Sequence, residues 1–147
     1  MSPGRLDASV VRRHLLALEH ALRQLTRHAG RPLDVLRTEL DEAWTVERGL
    51  QLCAQNALDV ATHIAAAEAI DAPDYAAAID ALAQIKVLPA QFASRFRAVA
   101  GFRNVLVHGY LEVDLARVHA VLNMHLVDFR EFAEYVRDYL ATVDEHS

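Results

Sequence analysis

Arg103, Asn104, His108 and Tyr110 place four polar, chemically capable side chains within eight consecutive positions, interleaved with Val105, Leu106, Val107 and Gly109. Histidine titrates near neutrality and serves as general base or general acid. Arginine keeps its charge and holds phosphate or oxyanion groups through paired N–H donors. On a helix, Asn104 and His108 stand at i, i+4 and share a face, so the amide can orient the imidazole. Arg103 and His108 are five positions apart, about 140° around a helix that turns ~100° per residue. They converge only if the helix ends or distorts near Gly109, a natural C-terminal stop, or if a second copy supplies one of them. The same residues also fit a packed, hydrogen-bonded histidine and tyrosine at a helix end. Spacing alone leaves the catalytic and the structural reading open.

No other constellation competes with this one. The chain has eight histidines. His14, His20 and His28 are spaced by six and eight, however, and His119 and His125 by six. None forms the i, i+4 pair with a carboxylate found in helical zinc sites. Cys53 is the single cysteine, which leaves no intrachain disulfide and no thiolate cluster. Neither a glycine-rich phosphate loop nor a serine in a nucleophile elbow is present. No metal and no cofactor is expected. The 147 residues carry a net charge of −5, against a broad non-specific nucleic-acid surface but compatible with a small local site. Nearly all the basic residues are arginines, Lys86 being the only lysine.

The elements that must position the motif read as helices. Five glycines and four prolines leave long stretches without a breaker. Apolar residues recur at helical spacing from Leu6 to His28, and Gly30 with Pro32 ends that run. A long second helix is expected from Leu33 to Ile70, with Gly49 either kinking it or permitting close packing. A short third helix is expected over roughly Asp74 to Ile85, after a turn with N-cap chemistry. A fourth begins near Pro89. The last runs from Asp114, an N-cap, to about Thr142. The expected architecture is all-α: one domain over residues 1–147, an up-and-down bundle of about five helices. Their wide apolar faces also suggest a homodimer. No apolar run approaches the ~20 residues of a membrane span, and the first residues lack the apolar stretch of a signal peptide. A cytoplasmic location is expected.

The stretch from Ala100 to Leu111, with its Arg-x4-His-x-Tyr pattern, resembles the HepT-like toxins of the HEPN superfamily. The similarity extends to Glu47–Ala61, which is like that family's long second helix, and to Pro73–Ala78, which is like the segment after it. The resemblance implies a homodimeric, metal-independent ribonuclease whose paired motifs face a shared cleft. It also implies a partner, an MntA-like nucleotidyltransferase antitoxin that transfers AMP onto the motif tyrosine, here Tyr110. Under that reading Arg103 and His108 are catalytic, Asn104 supports them, and RNA is the substrate. Arg48, Arg95 and Arg97 are candidates for extending a phosphate track, with ordinary solvation of a helix surface as the alternative for each. The rival function is a non-catalytic helical subunit that binds nucleotide or regulates a nucleotidyltransferase.

Overall fold

The computed structural model describes residues 6–109 and 113–145. The described residues form eight helices: α1 (Ala8–Thr26), α2 (Leu33–Thr38), α3 (Leu40–Ala67), α4 (Tyr75–Gln84), α5 (Ala90–Phe96), α6 (Ala98–His108), α7 (Leu115–Met124) and α8 (Leu126–Glu145). Among them there is no strand. No described helix is long and apolar enough to cross a membrane.

The all-helical class agrees with the sequence reading, but three of the five expected helices are each two. The expected Leu33–Ile70 helix breaks at Glu39, whose backbone is extended at φ −112° and ψ 96°. The Thr38 hydroxyl turns back to donate to the Asp34 carbonyl at 2.8 Å there. The helix after Pro89 bends at Arg97, where the Ala100 N–H donates to the Arg97 carbonyl in a tightened turn. The final helix breaks at His125, whose ring sits 3.2 Å from the Asp128 carboxylate. Each break occupies a single residue, so the apolar stripe continues almost in register across it. Periodicity cannot register such an interruption.

Where helices do start, local chemistry explains it. Asp7 accepts from the N–H groups of Ser9 and Val10, Asp74 from Ala77, and Asp114 from Arg117. These carboxylates satisfy donors that have no intrahelical partner.

Helix α3 is the centre of the bundle and touches α1, α2, α4, α6, α7 and α8. Val46, Leu50, Cys53, Ala57, Leu58, Ala61 and Ile64 are fully buried along it. Helix α3 runs unbroken through Gly49. A Cβ at Gly49 would lie 2.6 Å from Cδ2 of Leu25, so the glycine permits α1 to approach closely. Phe96 stacks on Phe92 and Phe132 at centroid separations of 5.1 and 4.9 Å and meets Phe129 edge-on. This cluster fixes α5, and through the Arg97 bend it sets where α6 begins.

Candidate active site

Helix α6 carries Arg103, Asn104 and His108, and packs against α3 and α4. Tyr110 lies outside the described residues. Phe102 is buried, Arg103 is half-buried, and Asn104 and His108 are exposed. The motif is therefore split between a face held by the bundle and a face open to solvent.

Arg103 is held on three sides. Its Nε donates to Gln55 Oε1 at 2.9 Å and one terminal nitrogen donates to Asn104 Oδ1 at 3.0 Å. Its guanidinium carbon stands 5.4 Å from the centre of the Tyr75 ring. Gln55 is itself oriented, because its amide nitrogen donates to Asp59 at 2.8 Å and approaches the Tyr75 hydroxyl at 3.3 Å. With the nitrogen so engaged, the amide oxygen must face Arg103. A guanidinium has five N–H donors, and two are used. The remaining three are available to a phosphate, on a charge whose orientation is already set.

His108 is the last residue of α6, and Gly109 caps it with φ −88°. The glycine ends the helix as expected, though without the left-handed conformation common at that position. Among the described residues the His108 ring makes no hydrogen bond. The expected pairing of Asn104 with His108 does not form; the Asn104 oxygen is taken by Arg103. Nor does the end of the helix bring Arg103 and His108 together within one copy. One is drawn toward α3 and α4, and the other projects into solvent.

The candidate phosphate-track arginines separate clearly. Arg95 pairs with Asp128 at 3.4 Å and Glu131 at 3.6 Å, and Arg97 pairs with Asp80 at 2.9 Å. Arg48, exposed on α3, has no carboxylate within 4 Å among the described residues. Gln55, Asp59 and Tyr75 complete the site but were not singled out for chemistry from the sequence. The signal is faint: Gln55 and Asp59 are an i, i+4 polar pair on a helix that also carries Gln51, Asn56 and His63, so spacing does not set them apart.

A cavity of about 310 Å³ is lined by Phe96, Val99, Phe102, Arg117, Val121 and Phe129, on another side of α6. Arg103, Asn104 and His108 do not line it. Asn104 and His108 lie instead on exposed surface. No group of three or more potential metal-binding side chains occurs among the described residues.

Residues 18–136 match the family described as Ribonuclease HepT-like. The chain is similar to an mRNA nuclease HepT of Shewanella oneidensis, 29% identical over 89 residues that cover 60% of this chain and 67% of that protein. It is also similar to a tRNA nuclease HepT of Aphanizomenon flos-aquae, 24% identical over 144 residues and 97% of each chain. Among solved structures, the fold matches a tri-AMPylated Shewanella oneidensis HEPN toxin in complex with an MNT antitoxin. The TM-score is 0.77 at 21% identity, covering 88% of this chain and 97% of that one. With the family match spanning most of the bundle, motif helix included, the chain belongs to the HepT-like ribonuclease family.

Proposed function

We propose that this chain is the toxin of a toxin–antitoxin pair, an endoribonuclease that cuts RNA without a metal at a cleft between two copies. The observation that carries the reading is the divided motif. Arg103 is oriented with donors to spare, while His108 stands exposed on the same short helix, with no hydrogen bond to its ring among the described residues. One copy offers an electrophilic anchor and one imidazole, but the reaction needs two proton-transfer groups. A two-fold arrangement of α6 helices supplies the second.

In that arrangement one His108 removes the proton from a ribose 2′-hydroxyl as its oxygen attacks the adjacent phosphorus. The other His108 gives a proton to the departing 5′-oxygen. The products are a 2′,3′-cyclic phosphate and a free 5′-hydroxyl. Arg103 holds the phosphate oxygens, on which charge accumulates as the fifth bond forms. Asn104 sustains Arg103 through the hydrogen bond seen in the fold.

The test is incubation of purified protein with total RNA in chelator. Wild type should cut. His108→Ala should lose about 10²–10⁴-fold in rate, the scale of a general acid–base contribution. Undiminished cutting by that variant would remove His108 from the mechanism, and an inactive wild type would favour a regulatory subunit instead.

Tyr110 is proposed as the point of control. Relatives of this fold have been solved with an MNT antitoxin and in AMPylated form. Transfer of AMP to Tyr110, two residues beyond His108, would place bulk and negative charge at the cleft and oppose RNA binding. Intact-mass analysis after incubation with the cognate nucleotidyltransferase and ATP should show added AMP on wild type and none on Tyr110→Phe. Equal addition to both proteins would exclude Tyr110 as the acceptor.

A further inference from the structure

Trp44 is the single tryptophan of the chain, and it is 62% exposed in the second turn of α3. The bundle gives it no packing role. Its place on α3 is informative. At ~100° per residue, Trp44, Arg48 and Gln55 fall within about 40° of one another, on one face. Gln55 is the residue that holds Arg103. At 1.5 Å per residue, Arg48 stands about 10 Å and Trp44 about 16 Å along the axis from Gln55. A line therefore runs from the Arg103 anchor through the exposed Arg48 cation to an exposed indole.

We propose that this face of α3 is the track for single-stranded RNA leading away from the scissile phosphate. Trp44 stacks on an unpaired base and Arg48 takes a backbone phosphate. Alternation of a stacking surface and a phosphate donor is how single strands are held without sequence readout. Charge sets the limits of the track. Asp59, engaged by Gln55, lies beyond the anchor at one end, and exposed Asp41 precedes Trp44 at the other. The strand passes between these two carboxylates. In a chain of net charge −5, Arg95 and Arg97 are offset by carboxylates, whereas Arg48 has none within 4 Å among the described residues.

The inference rests on the ribonuclease reading and is tested so that the two can fail separately. Because Trp44 is the sole tryptophan, its fluorescence reports directly on the face. The probe is a short single-stranded oligoribonucleotide, titrated in chelator into protein carrying His108→Ala so that it is not consumed. Saturable quenching is expected, and weaker binding by a duplex of the same sequence. For variants that lack the indole, binding is read by the anisotropy of a 5′-labelled copy of the same oligoribonucleotide; in the same background, Trp44→Ala should weaken it about five- to a hundredfold, with Trp44→Phe recovering most of the loss. Arg48→Ala should reduce the slope of log K against log salt by about 0.7. Trp44→Ala should leave the melting temperature unchanged.

Unchanged affinity in Trp44→Ala and Arg48→Ala, with RNA still cut in the otherwise wild-type protein, would overturn the track and leave the ribonuclease intact. Absence of both RNA binding and cutting in wild type would overturn both. Exposed Leu40, one turn from Trp44, makes a second copy the competing occupant. If sedimentation shows that Trp44→Ala lowers self-association while RNA affinity holds, the face belongs to a dimer and the proposal fails.

Discussion

Arg103 owes its orientation in part to Gln55, 48 positions away in sequence, and that dependence can be measured. Replacing Gln55 with leucine leaves Nε of Arg103 without its acceptor and Asp59 without its donor. Hydrogen bonds to charged groups contribute about 1.5–3 kcal/mol, and 1.36 kcal/mol is a factor of ten in rate. Gln55→Leu is expected to slow RNA cleavage by about tenfold or more, with Arg103→Ala slower still. A drop in kcat with little change in KM would mark Gln55 as a positioning residue. Single-turnover cleavage beside a thermal melt separates this from general loss of the fold. At the opposite extreme of reactivity, burial pushes the Cys53 thiol up to about 12. The thiolate is the reactive form, so the folded protein should resist a disulfide reagent at about pH 8 and react only as it unfolds. Rapid modification of native protein would contradict that burial.

At the scale of the element, α3 carries both the core and one wall of the site. Adding a methyl at Gly49 forces Leu25 to move, and Leu25 is itself buried at the α1–α3 contact. Overpacking costs about 1–3 kcal/mol, against about 0.5–1 kcal/mol gained from replacing a helical glycine. Gly49→Ala should therefore lower stability in urea by about 1 kcal/mol, and combination with Leu25→Val should recover part of it. Glu47, on the same helix, is held above its ordinary value by desolvation. A raised carboxyl favours the folded state below the ordinary glutamate value of about 4.3 and loses that advantage as pH rises through the raised value. Glu47→Gln should consequently melt higher than wild type at about pH 7 and equally at about pH 3.5. A constant difference at both pH values would point to packing instead of titration. The helix breaks belong to this scale too. Glu39, Arg97 and His125 each interrupt a helix by one residue without disturbing the apolar stripe, which is why five helices are expected and eight are found among the described residues.

For the molecule as a whole, the helical class, the capping aspartates Asp7, Asp74 and Asp114, and the end of α6 at Gly109 follow from chemistry within a few residues of each position. Such features are local. Apolar spacing, a carboxylate near free N–H groups and a glycine after a last turn act before distant parts of the chain meet. The division of Arg103 from His108 was also foreseeable, since five residues on a regular helix set their angle. Tertiary structure decided the rest, because a side chain's partner depends on which helices pack together. Gln55 is 48 positions from Arg103 in sequence. Only the packing of α3 on α6 joins them, and it diverts Asn104 from the imidazole to the guanidinium. Packing likewise assigned carboxylates to Arg95 and Arg97, through helices α8 and α4, and left Arg48 and Trp44 exposed on the line that leads to Arg103.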